Sequence, residues 1–365
     1  MSEINQKKFA SVHYAQYLQL ENILHAQHMR SSDVGQPAHD EMLFIIIHQV
    51  YELWFKQIIH ETESVCLLFR ENHVDERNIG IAVSRLERVI EIQKIMIDQI
   101  RVLETMTPLD FLDFRNYLIP ASGFQSFQFR KVEVMLGLKK EDRLTYNQKV
   151  YSSVFSESQQ KELKELEASP SLANLVEQWL NRTPFLDMDD FPFLARYRDA
   201  VNQMIEKEEA AIRETTFISE EDKNIRLQML AGTAQYFKDA LDEEKGNQKN
   251  EGLSYKATLA ALLIHLYRDE PLLRMPHTML VRLLDIDELF TTWRYRHAQM
   301  VLRMLGRKMG TGGSSGHDYL KATTEQHHVF KELHQISTLL IPRSELPELP
   351  EGLKRSLGFC YTYNH

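Results

Sequence analysis

The chain has 365 residues, enough for one large domain or two ordinary ones, and its 43% hydrophobic and 26% charged content is a soluble globular balance. A net charge of −9 argues against a nucleic-acid partner, which needs a basic face to meet phosphate. Two cysteines, Cys66 and Cys360, make neither a disulfide framework nor a cysteine metal site; the longest apolar run, Met42 to Ile47, is far short of a membrane span, and no apolar signal core opens the chain, so the cytoplasm is the expected compartment.

In chain order, the hydrophobic spacing is helical almost throughout. Glu41 to Arg70 predicts a long amphipathic helix, with Asp40 placed to cap it. Glu76 to Glu104 predicts a second, because Ile79, Val83, Leu86, Ile90, Ile97 and Ile100 recur near the helical period. Thr107-Pro108 reads as the N-cap and first position of a short helix that Pro120 ends, and Ser122 to Leu136 as a further, Phe-rich helix. The stretch 141–252 is more charged and is broken at Ser169-Pro170, Thr183-Pro184 and Glu244 to Gly252. It reads as peripheral helices on a core built from roughly 10–140 and 253–343. Lys256 to Tyr267 and Met279 to Leu305 return to core-like apolar content, and His317 to Leu340 predicts the last long helix before a Pro-rich, irregular tail. Without convincing strands or repeats, the expectation is an all-α fold and a single domain over 1–365.

Three ionisable residues, His48, Arg115 and His297, fall on helix faces that should be apolar. A charge there costs on the order of several kcal/mol unless a partner compensates it, so the three together suggest a built cavity with something bound inside. Ile286, Leu289, Phe290, Trp293, His297, Met300 and Met304 share one stripe at helical spacing. A lone histidine there is either a core residue bonded to a carbonyl or the axial ligand of a haem, which asks for one nitrogen and flat apolar walls. No second histidine or acid stands at ligand spacing on that face, which excludes a zinc site of the HExxH kind. The basic cluster Arg294, Arg296, Arg303, Arg307 and Lys308 would suit a small anion or haem propionates.

His48 shares its face with Phe44, Ile47, Tyr51, Phe55 and Ile58, as a satisfied core histidine or as an imidazole touching a substrate or bound gas. Arg115 shares its face with Phe111, Phe114 and Leu118 and has no acid one turn along its own helix. Either a tertiary carboxylate or a ligand carboxylate compensates it, and the planar guanidinium fork suits the latter. The loop Gly306 to Gly316 holds five of the fourteen glycines. It lacks the Gly-Lys-Ser/Thr ending of a phosphate loop and follows a helix, so it is a plain linker or a lid that closes with the hydroxyls of Thr311, Ser314 or Ser315.

Several longer motifs stand in order along the chain. They are Tyr14-Ala-Gln-Tyr-Leu-Gln-Leu20, His39-Asp-Glu-Met-Leu-Phe-Ile-Ile-Ile-His-Gln49 with Glu52-Leu-Trp-Phe-Lys56, and Leu103-Glu-Thr-Met-Thr-Pro108. Phe114-Arg115, Pro120-Ala-Ser-Gly-Phe-Gln-Ser126, Trp293-Arg-Tyr-Arg-His297, Gly310-Thr-Gly-Gly-Ser-Ser-Gly316 and Leu339-Leu-Ile-Pro-Arg343 follow. Together they resemble the tryptophan 2,3-dioxygenase family across nearly the whole chain, least so over Glu141 to Asn250.

The resemblance implies an all-α, multi-helix haem-binding bundle with peripheral helices, assembled as a cytoplasmic homotetramer. Its cofactor would be haem b, ferrous in the active form. The reaction would insert both atoms of O₂ across the indole 2,3-bond of L-tryptophan, giving N-formyl-L-kynurenine, the first step of the kynurenine route. By the same resemblance His297 is the proximal haem ligand, His48 the distal histidine facing the indole N–H, and Phe44 the aromatic neighbour of the indole. Arg115 clamps the substrate carboxylate, Thr311 sits near its ammonium, and Ser122 and Gly123 line the distal haem side. Tyr14 and Tyr17 match residues that reach a neighbouring subunit's pocket. Phe111 stands where many bacterial relatives have Tyr, leaving an apolar wall to the substrate site, and His317 stands where Tyr is common. The fold also hosts other haem-dependent aromatic oxygenases, and Arg115 with Thr311 argues for an amino acid held at both ionic ends.

Overall fold

The computed structural model describes residues 11–140, 142–143, 151–188, 190–247, 252–306, 308 and 316–358. Three short helices, α1 (Tyr14–Tyr17), α2 (Leu20–Leu24) and α3 (Arg30–Asp33), form an N-terminal arm. Buried Glu41 fastens it, accepting the backbone N–H groups of Arg30 at 2.8 Å and Ser31 at 2.9 Å. The long helix α4 (His39–Arg70) begins earlier than its periodicity implies, with Ala38 as N-cap. Asp40 therefore does not cap it but sits in the first turn, where its charge faces the positive end of the helix dipole.

α5 (Glu76–Leu103) starts at Asp75, whose carboxylate accepts the Asn78 N–H at 2.8 Å. α6 (Pro108–Arg115) has the expected start: Thr107 and Asp110 cap each other's backbone and Pro108 takes the first helical position. The helix expected over 122–136 is divided, because Ser122 caps a 3₁₀ turn (Gly123–Gln125) and Ser126 then caps α7 (Phe127–Leu136). α8 (Glu157–Glu167), α9 (Leu172–Leu180), α10 (Phe193–Glu214), α11 (Glu220–Ala240) and α12 (Glu243–Asn247) occupy the charged stretch. Before α10 lies a minimal hairpin, Asp187–Met188 antiparallel to Phe191–Pro192. α9 and the start of α10 enter the main core through Leu172, Leu175, Phe193 and Tyr197, whereas α11 buries only Leu230 and Phe237.

α13 (Tyr255–Leu266) buries nine of its twelve residues, as a helix enclosed on most sides does. α14 (Pro271–Leu305) runs further back than Met279, through Pro276. A proline in the second turn forfeits one backbone hydrogen bond, and here Leu273 and Pro276 are buried in exchange. The helix expected over 317–340 is broken into α15 (Gly316–Gln326), α16 (Lys331–Ile336) and a 3₁₀ turn (Ser337–Leu339). The buried Asp287 carboxylate on α14 causes the break, accepting the N–H groups of Val329 at 3.0 Å and Phe330 at 3.4 Å. The tail holds α17 (Glu351–Ser356), whose Leu353 joins the core.

Three long helices frame the molecule: α5 lies against both α4 and α14, α7 packs on α4, and α15 packs on α14. Tyr51 donates to the Met96 carbonyl at 2.7 Å and buried Gln93 to the Ile286 carbonyl at 3.0 Å, which fixes the relative heights of α4, α5 and α14. α4 is long and apolar enough to cross a membrane by length and composition alone; in this fold one of its faces forms core and cavity wall. A second apolar cluster, including Ile47, Ile100, Phe111, Phe114 and Met300, closes the space where α4, α5, α6 and α14 converge. Truncating fully buried Leu283 to alanine should cost about 2–5 kcal/mol of unfolding free energy. The urea midpoint reads this directly, and an unchanged midpoint would mean that the core around α14 carries little of the stability.

Candidate active site

α4, α5, α6, α7, α14, α15 and the 122–126 segment enclose a cavity of about 270 Å³. Its α4 wall is Phe44, His48, Tyr51, Glu52 and Phe55; its α14 wall is Trp293, Arg294, His297, Met300, Val301, Met304 and Leu305. Phe44, Phe111 and Phe114 form an aromatic corner with ring centroids 5.4–5.6 Å apart, and Phe44 lies 4.1 Å from the His48 ring. Arg115, the last residue of α6, is half-buried and lines the same space, as do Ser122 and Gly123.

The two histidines are electrostatically unlike surface imidazoles. Burial pushes the His48 pKa below its ordinary value, partly offset by a 2.7 Å hydrogen bond to the Phe44 carbonyl. That bond makes Nδ1 the donor in the neutral ring and leaves the Nε2 lone pair free to accept. Burial, then the nearby His48, pushes His297 down to about 4. Both rings line the cavity, His297 half-buried and His48 with more of its surface exposed, so both are within reach of a ligand. His297 stacks on Trp293 with centroids 5.5 Å apart and planes at 22°, and makes no hydrogen bond among the described residues.

One end of the cavity is ionic. Glu133 on α7 is 2.6 Å from Arg130 Nη1 and 3.2 Å from Arg294 Nη2, and its Oε1 lies 3.4 Å from His327 Nδ1. Arg294 also donates to the His327 carbonyl at 2.8 Å, tying α7, α14 and the end of α15 together. Burial alone would raise the Glu133 carboxyl, but Arg130, His327 and Arg294 overcome it and hold the group well below the usual carboxylate range. Two guanidiniums face one carboxylate here. This end is therefore suited to an anionic group with acceptor oxygens.

A sequence model of the tryptophan 2,3-dioxygenase family matches residues 2–340. The chain belongs to the tryptophan 2,3-dioxygenase family. It is 50% identical over 358 residues to the protein of that name from Bdellovibrio bacteriovorus, covering 97% of this chain and 100% of that one. It is 45% identical to the Alteromonas mediterranea protein, over 97% of this chain and 99% of the relative, and 45% identical to that of Dictyostelium discoideum, over 96% and 89%.

The family's motif residues that the structure describes fall into two groups in space. Phe44, His48, Phe111, Arg115, Ser122, Gly123 and His297 line one cavity. Tyr14 and Tyr17 are 70% and 73% exposed and stand outside it, and Thr311, with most of its glycine loop, lies outside the described residues. Of the basic cluster read from sequence, Arg294 alone among the described residues lines the cavity, and Arg296 pairs with Glu104 at 3.1 Å. Glu52, Arg130, Glu133, Tyr319 and His327 line the cavity without having been singled out, because nothing in their spacing separates Arg130 and Glu133 from an ordinary i,i+3 surface pair.

The depressed histidines set a pH dependence. His297 and His265 bind protons near pH 6.5 in the unfolded chain but only near pH 4 when folded. The unfolded state thus holds more protons between those values, and stability declines as pH falls from 6.5 to 4, then levels off. Urea midpoints of ligand-free protein should follow that slope, and His297→Gln should flatten part of it; a flat parent profile would contradict the desolvation assigned to these rings.

Proposed function

We propose that this chain is a haem-dependent dioxygenase that inserts both atoms of O₂ across the indole 2,3-bond of L-tryptophan, giving N-formyl-L-kynurenine. The observation carrying the proposal is the pair of imidazoles, His48 and His297, on the α4 and α14 walls of one aromatic cavity in a member of this family. The cavity fits haem b on three counts. His297 offers a neutral nitrogen, Trp293, Phe129, Met300 and Met304 offer apolar walls, and the Arg130–Arg294 end suits propionates. When bound, ferrous haem supplies the redox chemistry that lets O₂ react with a closed-shell indole.

The protein's own part is binding and orientation. His297 would hold the iron. Arg115 would grip the substrate carboxylate bidentately, with Thr311 near the ammonium, so that both ionic ends of the amino acid fix where the ring lies. His48, its Nδ1–H already given to Phe44, would accept the indole N–H at Nε2; indole N–H is too weak an acid for full proton removal to be required. Phe44 and Phe111 would flank the ring and Ser122 and Gly123 the distal edge, a largely apolar surround that excludes water from the reacting bond.

Incubation with L-tryptophan under ¹⁸O₂ should place two labelled atoms in the product; a single label would indicate a hydroxylase instead. Arg115→Ala should lose about 2–5 kcal/mol in kcat/KM for tryptophan, the scale for truncating one member of a buried charged pair. The variant should also stop distinguishing tryptophan from its decarboxylated amine, and retained discrimination would remove Arg115 from the clamp.

Homotetramer assembly is part of the same reading. α4 exposes Ile46, Leu53, His60 and Leu67 and α5 exposes Ile81, Arg88, Ile95 and Val102, each set at seven-residue spacing. Such a spacing is a seam for other helices, and a second copy is the partner that would also receive the outlying Tyr14 and Tyr17. Leu53→Lys with Ile95→Lys should shift the sedimenting species to smaller assemblies; a monomeric parent would refute the seam.

A further inference from the structure

Away from the cavity, α13 and α14 bring two imidazoles together. The rings of His265 and His277 have centroids 5.0 Å apart and stand at 83° to each other. A cation taking one nitrogen from each ring at about 2.0–2.1 Å would lie roughly 3.2 Å from each centroid, and centroids 5.0 Å apart would subtend about 100° at it. That angle lies between the right angle of an octahedral pair and the tetrahedral angle.

His265 Nε2 is buried and makes no hydrogen bond among the described residues. An orphaned buried nitrogen calls for a partner, and a bound ion is one. An ordinary imidazole is mostly neutral near pH 7, the state that ligates metals. The neighbouring charges are mixed: Arg268 opposes a cation, whereas Asp269, itself 2.8 Å from Arg343, favours one. Among the described residues no third His, Cys, Asp or Glu completes a cluster, so solvent would fill the remaining positions. Both rings keep some exposed surface, which gives an ion access.

We propose that His265 and His277 form a two-imidazole site for a borderline divalent cation of the Zn²⁺ class, which clamps α13 to α14. Imidazole donors favour Zn²⁺ and its neighbours over the hard Mg²⁺. The clamp would brace the helix that carries His297 from its opposite end, and it involves none of the residues assigned to tryptophan or haem.

The test is calorimetric titration of the full-length chain, freed of loose metal by dialysis against a chelator, with Zn²⁺ and separately with Mg²⁺. One Zn²⁺ per chain should bind in the tightest class, raise the melting temperature, and find no Mg²⁺ counterpart. His265→Gln and His277→Gln should each weaken that event at least about tenfold. Absence of saturable Zn²⁺ binding, an equal response to Mg²⁺, or Zn²⁺ binding unaltered in both variants would overturn the site. Should His265→Gln fail to fold by circular dichroism, His277→Gln, whose ring is less enclosed, decides the matter alone.

Discussion

Holding His297 down at about 4 depends on α14 staying packed against α5, because loss of water is what lowers an imidazole's proton affinity so far. Gln93 bonding to Ile286 and Tyr51 bonding to Met96 set how far each helix slides along the next. A shift of one turn would move His48 and His297 out of opposition. The stability of the three-helix frame and the geometry of the cavity are thus one quantity seen twice. Core packing fixes register, register fixes which side chains face inward, and inward placement strips their water.

The same dehydration sharpens the charges. Within protein an ion pair is felt much more strongly than in bulk water, so two buried guanidiniums against one carboxylate make a strongly directional anion site. Glu133 keeps that site from being prohibitively positive, and His327 brings the end of α15 into the same network. Arg115 lines the cavity from α6, a different element. A cavity with ionic groups and an aromatic middle binds a zwitterion with a flat ring in few orientations, which is what a regioselective reaction on that ring needs.

Periodicity made much of this legible. α4, α5 and α14 are long and regular, so assigning His48 and His297 to inward faces required only the helical period, and Thr107-Pro108 announced α6 through local capping. Where tertiary contacts decide, the sequence is silent. No proline or glycine marks the break after Gln326; a carboxylate on another helix, Asp287, makes it. Asp40 has capping chemistry, yet the chain turns helical just before it. Arg130, Glu133 and Arg294 become one site only through the packing of α7 near α14, and His327 joins them from beyond α15. Spacing alone left His297 open between a core histidine and a ligand, and only the longer motifs of the resemblance imply the second.

Vibrational spectroscopy directly tests the proposal that His297 holds a haem iron. Resonance Raman spectra of the ferrous protein should show an iron–histidine stretch that disappears in His297→Gly and returns when imidazole is added to fill the space left behind. An undiminished iron–histidine band in the glycine variant would contradict the account, placing the bond on another residue.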